Sequence, residues 1–522
     1  MTEARLSANH QIARAAGTVM FAFALSNIVG LVRQILISNL FGTDRAIDAF
    51  YAASTYPDLI FNLVAGGALA SAFIPTFAGF LAKDNRETAW KLASSITNLV
   101  LLLLTVVSVI SAIFALPIVR YILAGKFPPE QQILTASLLR ILLLSPAIFG
   151  VSGLLMGILN AHQHFLLPAL APTMYWLGMI FGLVFLTPSM GIYGLAWGAM
   201  LGATLHLGIQ IPDLLRLPGR VYTFTLGLAD AAVREVGRLM GPRLLGVAVV
   251  QLNFVVNVII ASGLPEGSLS AIKYAWAVMT MPQVVIAQAI AIAALPTFSA
   301  QFARGETDEM RATLASTLRG MLLLSMPAAV GLILLRQPIT ALLFQHGAFD
   351  ARSTDMVSWA LLWYAAGLVG HSILEVLTRA FYAQHDTKTP VFVGAAAMGL
   401  NVVFSFAFSS LFEKIGWMPH GGLALANSFA TALEATTLLI IIRKRLKGIN
   451  ESHILRGGLQ SIGGTLAMSA VVILCLSLFS DRSAWLLTLS GIAAGGLVYA
   501  LMMTVLRVSE LDVLIKAIRR RI

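Results

Sequence analysis

Long apolar runs dominate the chain, and short stretches rich in glycine, proline and charged residues separate them. A membrane-spanning helix needs about 20 consecutive, mainly apolar residues. Fourteen runs meet this requirement. We therefore predict spans at residues 12–40, 47–81, 90–122, 132–160, 165–187, 191–212, 238–262, 269–302, 312–343, 355–382, 389–412, 420–442, 458–480 and 484–506. Two of these runs contain prolines at which we expect kinks, namely Pro57, Pro75, Pro282 and Pro296.

The composition supports this interpretation. Hydrophobic residues make up 58% of the 522 residues, and charged residues only 11%, against about 25% in soluble proteins. So few charges could not cover that much apolar mass in water, which predicts an all-α, polytopic membrane protein. The single cysteine, Cys475, excludes a disulfide framework and a cysteine-based metal site. We expect neither a metal nor a cofactor.

The basic residues indicate an orientation. The net charge of +11 is spread thinly through the loops, which argues against nucleic acid as a partner. The side that holds the N-terminus collects 22 Lys and Arg residues, and the opposite side collects 7. Because positive loops stay in the cytoplasm, we expect both termini there. Apolar residues on one face of the segment 511–518 predict an interfacial helix in the basic tail.

The chain repeats itself at an offset of 221–222 residues. Matching pairs include Pro75-Thr76-Phe77 with Pro296-Thr297-Phe298, Pro117-Ile118 with Pro338-Ile339, and Pro168 with Pro390, while Gly194-Leu195-Ala196 matches Gly422-Leu423-Ala424 at offset 228. We predict two six-helix lobes, 1–222 and 223–447, and a third part, 448–522, with two extra spans and the tail. Small residues four apart, at Gly194, Gly198 and Gly202 and at Gly422, Ala426 and Ala430, predict close helix packing.

Six cations lie inside predicted spans: Arg33, Arg140, Arg243, Lys273, Arg319 and Arg379. Each costs about 2.5–3.5 kcal/mol at mid-membrane. Glu375 precedes Arg379 by one helical turn, so an ion pair explains that cation. Arg140 and Arg319 are near enough to span ends to reach the membrane surface by snorkelling.

Arg33, Arg243 and Lys273 are candidates for ligand binding. They fall in spans 1, 7 and 8, which begin the two repeats and would face each other across a cavity. Asp48 and Asp58 in span 2 are the acids nearby. One interpretation pairs Arg33 with Asp48 and lets the other cations snorkel. The other places an anionic substrate in the cavity.

Motifs for chemistry are missing from the sequence. It contains no G-x-x-x-x-G-K-[ST] loop and no H-E-x-x-H pair, and its loops are too short for a nucleotide-binding domain. We therefore expect a transporter driven by a gradient, the membrane potential or the substrate, and not an enzyme.

Several motifs resemble the MurJ (MviN) family, over essentially the whole chain. They are Gly30-Leu31-Val32-Arg33, Phe41-Gly42, Asp48-Ala49-Phe50, Pro57-Asp58-Leu59, residues 67–75, Met240-Gly241-Pro242 and residues 383–390. The family belongs to the multidrug/oligosaccharidyl-lipid/polysaccharide exporter superfamily. The resemblance implies a bacterial inner-membrane protein that flips lipid II, the undecaprenyl-pyrophosphate-linked peptidoglycan precursor, to the outer leaflet. Its expected partners are membrane lipids and envelope-synthesis proteins.

The resemblance also implies roles for residues. Arg33 matches a cavity arginine that contacts the anionic head of the substrate, and Asp48 matches an acid involved in gating or ion pairing. Asp58 lies in the same motif set. Spans 13 and 14 resemble a pair that forms a groove for the lipid tail.

Three positions depart from the family. Asn27, Phe61 and Ala277 stand where well-studied members carry arginines. Lys273 lies one helical turn before Ala277, on the same face. We hypothesise that Lys273 and Arg243 restore the lost charge in a shifted arrangement.

Other functions stay open on the sequence. The altered cavity charges suit a flippase for another polyprenyl-linked oligosaccharide. A degenerate paralogue that serves as a scaffold for envelope synthesis, a cation-coupled drug exporter and a membrane-embedded transferase are further alternatives. The last two are disfavoured, because such exporters usually have twelve spans and no loop offers paired carboxylates.

Overall fold

The computed structural model describes residues 2–64, 67–479 and 482–508. All regular elements in this part of the chain are helical. Contacts divide the chain into two compact units, Met1–Glu266 and Gly267–Ile522. We refer to them as the first and the second unit. The predicted tail helix at 511–518 lies outside the described residues.

The described residues of the first unit form twelve α-helices. Helix α8 packs against α1 and α10, α4 packs against α7, and α12 packs against α2 and α3. The helices are α1 Thr2–Phe41, α2 Arg45–Val64, α3 Gly67–Ala82, α4 Arg86–Ile113, α5 Ala115–Ile118, α6 Pro129–Leu142, α7 Ser145–Ala161, α8 Leu166–Phe181, α9 Thr187–Met190, α10 Ile192–Gly208, α11 Ile211–Arg216 and α12 Ala231–Ala261, with π-helical segments at Val119–Leu123 and Gly182–Leu186.

The second unit is built around α17, which packs against α13, α15 and α19. Its described helices are α13 Ser268–Pro282, α14 Ala289–Ala303, α15 Thr307–Leu334, α16 Arg336–Phe344, α17 Ala351–Ala383, α18 Lys388–Lys414, α19 His420–Arg445, α20 Glu451–Leu478 and α21 Ala484–Val505. A π-helical segment, Gln283–Gln288, follows Pro282 directly. The proline removes one backbone donor, and the backbone leaves α geometry at the position of the expected kink.

The all-α, polytopic fold is confirmed. Twelve helices of the described part are long and apolar enough to cross a membrane. These twelve correspond to predicted spans other than 47–81 and 238–262. In those two, the apolar stretches of the described helices are shorter, namely Ala72–Ala82 and Val250–Ala261. Helical backbone satisfies its own hydrogen bonds, which is why such runs can cross hydrocarbon.

The helix boundaries follow the internal repeat. Helix α15 begins 221 residues after α4, and both are 28 residues long. Helix α18 begins 222 residues after α8, and α19 begins 228 residues after α10. These intervals equal the offsets of the sequence matches. These three pairs of helices therefore occur in the same order in the two repeats.

The boundary between the compact units differs from the predicted boundary between lobes. We placed that boundary between residues 222 and 223, at the end of the first repeat. The contacts place α12, which holds the seventh span, with α2 and α3 in the first unit. The division into 1–222, 223–447 and 448–522 thus stays a prediction about repeats, and packing groups the helices differently.

Glycines bring α8 and α10 into direct backbone contact. A methyl group added at Gly182 would lie 2.5 Å from Gly198 Cα, and one at Gly178 would lie 2.2 Å from Gly202 Cα. In the second unit, a methyl group at Gly422 would lie 2.5 Å from the backbone nitrogen of Ser409. The predicted close packing at these small residues is confirmed.

Arg319 connects α15 with α20 inside the second unit. Its side chain is only 7% exposed. Nη1 lies 3.1 Å from His453 Nδ1, and Nη2 donates to Gln460 Oε1 at 3.0 Å, both on α20. Nearby, Ser461 of α20 lies 3.2 Å from the hydroxyl of Tyr499 in α21. The guanidinium of Arg319 therefore bonds to a neighbouring helix, and snorkelling of this residue stays a prediction.

Substituting Gly198→Ala tests the contact between α8 and α10. The new methyl group would lie 2.7 Å from Gly182 Cα, and backbone cannot move aside cheaply. We expect a loss of about 1–3 kcal/mol, measured as a lower Tm of the purified protein in detergent. Gly208→Ala is the control, because nothing lies within 4 Å of that position in the same helix. Equal Tm values for the two variants would contradict the packing described.

Candidate functional site

Arg33 lies on α1 with its guanidinium stacked on an aromatic ring. Its Cζ is 4.2 Å from the ring centroid of Trp176 on α8. Nη2 donates to Gln34 Oε1 at 2.8 Å, and Nη1 approaches the sulfur of Met179 at 3.7 Å. A desolvated cation–π contact is worth about 2 kcal/mol. The side chain is thus oriented by groups on two helices.

Gln34 connects this cation to α2. Its amide nitrogen donates to the hydroxyl of Tyr51 at 2.9 Å, while its amide oxygen accepts from Arg33. Gln34 is buried. A single buried amide therefore fixes Arg33 relative to both α1 and α2.

Gly30, one turn before Arg33, admits the tryptophan. A methyl group at Gly30 would lie 3.5 Å from Trp176 Nε1, which is ordinary van der Waals contact. The Gly30–Arg33 segment therefore offers the indole a flat helix surface next to the cation.

Trp176 begins a row of aromatic side chains within the first unit. Tyr175 and Trp176 have ring centroids 4.8 Å apart, Tyr175 and Phe149 5.1 Å, and Phe149 and Phe61 5.4 Å. His206 adds a fifth ring, 5.2 Å from Phe149. Phe61 thus packs against Phe149 of α7 at one end of this row.

Asp58 lies on α2 with its side chain exposed. Both Asp58 and Arg33 act electrostatically on the hydroxyl of Tyr175. Two of the predicted site residues are therefore brought to the same aromatic group, one as an anion and one as a cation.

Asp48 lies in the first turn of α2, far from Asp58. Ten residues of helix separate them by about 15 Å. Asp44 caps this helix end, since its Oδ1 accepts from the backbone N–H of Ile47 at 2.9 Å. Burial raises the pKa of the Asp44 carboxyl, although backbone hydrogen bonds oppose the change, and Glu266 adds to it. Asp48, only 3% exposed, is favourably placed at the positive end of the helix.

Asn27 does not join the group around Arg33. Its side chain is exposed, and its amide donates to the Phe23 carbonyl of its own helix at 2.9 Å. Six residues of helix place Asn27 about 9 Å from Arg33 along the axis.

Lys273 is half-buried on α13 of the second unit. The partly exposed positions around it are Lys273, Trp276, Ala277 and Thr280, which recur at helical spacing. Trp276 packs edge-on against Tyr364, with centroids 5.1 Å apart. Lys273 and Ala277 therefore share one accessible face, as the spacing predicted.

Arg243 belongs to α12, but its side chain lies outside the described part of the structure. Its proposed partnership with Lys273 stays a prediction.

Two further cations in the predicted spans, Arg379 and Arg140, contact different kinds of partner. Arg379 forms the expected ion pair with Glu375. Arg140 is exposed and donates from Nε to the Ala112 carbonyl at 3.2 Å.

Sequence reasoning missed several residues of this region. Gln34, Trp176 and Met179 orient Arg33, and no local pattern connects α1 with α8.

In the second unit, Glu434 is a buried acid within the predicted span 420–442. A search of the spans for acids as well as cations would have found it.

Comparisons with known proteins concern the family and the fold. The family model described as lipid II flippase MurJ matches residues 37–491. The lipid II flippase MurJ of Burkholderia cenocepacia is 32% identical over 470 residues, which cover 88% of this chain and 90% of that protein. A probable lipid II flippase MurJ of Vibrio cholerae is 29% identical and covers 81% of each chain.

Solved structures show the same fold. A lipid II flippase MurJ in an inward closed conformation matches with a TM-score of 0.80 and 26% identity, covering 93% of this chain and 98% of that one. An inward-facing multidrug resistance MATE family transporter of the MOP superfamily matches with a TM-score of 0.66 at 15% identity, covering 82% and 96%. The second likeness concerns the fold alone.

Gln34→Leu tests whether the buried amide holds Arg33. Leucine has a similar size but can neither accept from Arg33 nor donate to Tyr51. Loss of these buried hydrogen bonds should cost about 1–3 kcal/mol, seen as a lower Tm in detergent. Asn27→Leu is the matched control, since that exposed amide bonds only within α1, and it should change stability by about 0.5 kcal/mol or less. A Gln34→Leu protein as stable as the control would remove Gln34 from the site.

Proposed function

The chain belongs to the lipid II flippase MurJ family, and from that premise we propose that it carries lipid II across the bacterial inner membrane. The relatives supply the substrate, and the multi-pass helical fold supplies a path across the bilayer. The observation that carries the proposal within this chain is Arg33, a cation held inside a spanning helix by Trp176 and Gln34.

The pyrophosphate of lipid II would bind at Arg33. A guanidinium presents five N–H donors in one plane, and this fork matches phosphate oxygens. Stacking on Trp176 occupies the face of the guanidinium, so the donors at its edge point away from the ring. An anion that binds there would also compensate a charge that is costly in the membrane.

Transport would proceed by alternating access. Each unit has helices packed around its own interior, and in the second unit this core includes Phe298, Leu314, Phe381 and Leu438. Units that keep their own cores can change their relative arrangement without unfolding. The head group would enter from the inner leaflet and leave at the outer one.

We further propose that both termini are cytoplasmic. The excess of Lys and Arg, 22 against 7, supports this orientation. The polyprenyl tail would lie along α20 and α21, which stand outside the repeat and which Arg319 attaches to α15. Proteins of envelope synthesis are proposed partners.

The aromatic residue at position 61 makes a second substrate a testable alternative to lipid II. Phe61 packs against Phe149 at a position where relatives carry a cation, which favours an uncharged contact there. A flippase for another polyprenyl-linked oligosaccharide would use the same Arg33 for its pyrophosphate. Transfer assays with defined lipid-linked sugars decide between the two substrates.

Arg33→Ala should abolish most lipid II transfer in vesicles that contain the purified protein. Losing a charge-assisted hydrogen bond of about 1.5–3 kcal/mol corresponds to a decrease of about tenfold or more. Arg33→Lys keeps the charge without the planar fork and should retain part of the rate. In bacteria depleted of their lipid II flippase, Arg33→Ala should fail to rescue growth, and Arg33→Lys should rescue it in part.

Arg140→Ala is the control for these measurements, because Arg140 is exposed and bonds to a single carbonyl. Normal transfer by Arg33→Ala would overturn the assignment of the substrate site. Failure of the unmodified protein to transfer lipid II or to rescue growth would favour the other lipid-linked substrate or the scaffold.

Lys273→Ala combined with Arg243→Ala tests the compensation of missing arginines. If these cations share the anionic head with Arg33, the double variant should lose more transfer than either single variant, by about tenfold. The measurement is the initial rate at several lipid II densities. Unimpaired transfer by the double variant would leave Arg33 as the cation that matters.

A further inference from the structure

Glu434 on α19 lies inside the membrane-spanning part of the second unit. Its side chain is 8% exposed, and the described residues provide it with neither an ion pair nor a hydrogen-bond partner. Acids in such positions are rare, because hydrocarbon does not solvate a charge. Its presence therefore needs an explanation beyond packing.

The carboxyl group faces a cavity between α18 and α19. The cavity has a volume of about 240 Å³ and opens at the molecular surface. Its wall is apolar apart from Glu434 and Thr437, the other lining residues being Phe392, Val393, Ala396, Ala397, Leu400 and Leu433. Thr437 uses its hydroxyl within α19, donating to the Leu433 carbonyl at 2.7 Å. Glu434 is thus the one acidic group on this wall.

Gly394 allows the carboxyl group to approach α18. A methyl group at this position would lie 2.9 Å from Glu434 Oε1. The glycine therefore leaves room for the acid at the contact between the two helices.

The repeat shows that this position differs between the units. Glu434 corresponds to His206 at the offset of 228 that relates α10 to α19. In the first unit, His206 Nδ1 lies 2.7 Å from the hydroxyl of Ser152 on α7. The counterpart of Ser152 at offset 222 is Leu374, which is apolar. The serine hydroxyl that lies beside His206 in the first unit thus has an apolar side chain as its counterpart in the second unit.

The neighbouring helices offer Glu434 little compensation. On α17, Glu375 and Arg379 pair with each other, and His371 lies 3.1 Å from Asn427 Oδ1. The other charged or titratable groups of the helices around α19 are Lys273 and Tyr274 on α13, Arg352, Asp355, Tyr364 and Tyr382 on α17, Lys388, Glu413 and Lys414 at the ends of α18, and His420, Arg443, Lys444 and Arg445 at the ends of α19 itself. A carboxylate ion here would be buried without a cation, whereas the neutral acid avoids that cost.

We propose that Glu434 is a proton-binding group in a cavity of the second unit, and that its protonation controls the rate of transport. Binding adds one proton to a carboxylate oxygen and neutralises the cavity wall. Releasing the proton leaves a charge that favours entry of water between α18 and α19. The link to transport rests on the proposed function, whereas proton binding does not.

Dicyclohexylcarbodiimide tests proton binding directly. This lipophilic reagent takes the proton of a carboxylic acid, and the carboxylate oxygen then attacks its central carbon to give an adduct that rearranges to a stable N-acylurea. In vesicles with the full chain, mass spectrometry should find the adduct on Glu434 and not on the ion-paired Glu375. The labelled fraction should fall as the pH rises from about 6 to about 9.

Glu434→Gln is the variant that tests control of transport. It mimics the neutral acid, so its lipid II transfer should vary by less than about twofold over the same pH range, while the unmodified protein varies more. Thr437→Val is the matched control, because it changes the same wall without a titratable group and should keep the normal pH profile.

Absence of an adduct on Glu434 at every pH would overturn proton binding, whatever the transport results. An adduct on Glu434 together with identical pH profiles for Glu434→Gln and the unmodified protein would overturn control of transport. If the unmodified protein transfers no lipid II, the labelling result still stands, so failure of the proposed function is distinguishable.

Discussion

Every charge inside the membrane-spanning helices must be compensated within the protein, since hydrocarbon offers no solvation. The described helices meet this constraint in three ways. An acid one turn away compensates Arg379. Polar groups of α20 form hydrogen bonds with Arg319, so this side chain connects α15 with α20. An aromatic face and one amide hold Arg33. In each of the three arrangements, a side chain elsewhere in the protein contacts the charged group and so reduces the cost of placing it in the membrane.

The same constraint explains how much the sequence could predict. Spanning helices must be long, apolar and internally hydrogen-bonded, so the fourteen runs and the repeat offsets were predictable, and α15, α18 and α19 begin where the offsets place them. The ion pair of Arg379 was predictable because both partners lie on one helix. The contacts of Arg33 and Arg319 were not, because Trp176 and Gln460 lie on other helices and sequence spacing carries no information about them. For Arg319 the rule that basic residues snorkel gave no indication of its bonds to His453 and Gln460 on α20.

Aromatic rings give the site around Arg33 its character. Phe61 packs against Phe149, which in turn contacts Tyr175. Uncharged rings cost less to insert into the bilayer than cations do, but the proposed anion binding then rests on one side chain of this group. Such a site depends more strongly on the exact orientation of its guanidinium. This dependence gives Gln34 and Trp176 a functional importance that their chemistry alone would not suggest.

The two repeats have kept their helix order while their buried polar groups diverged. At equivalent positions, His206 lies within hydrogen-bonding distance of Ser152, and Glu434 faces an apolar cavity. A satisfied polar pair rigidifies the contact between helices, whereas a lone acid makes the contact depend on its protonation. If both repeats had kept the paired arrangement, the two units would respond alike to pH. Divergence at this one position instead makes the second unit the pH-sensitive half of a protein whose helices are otherwise arranged twice in the same order.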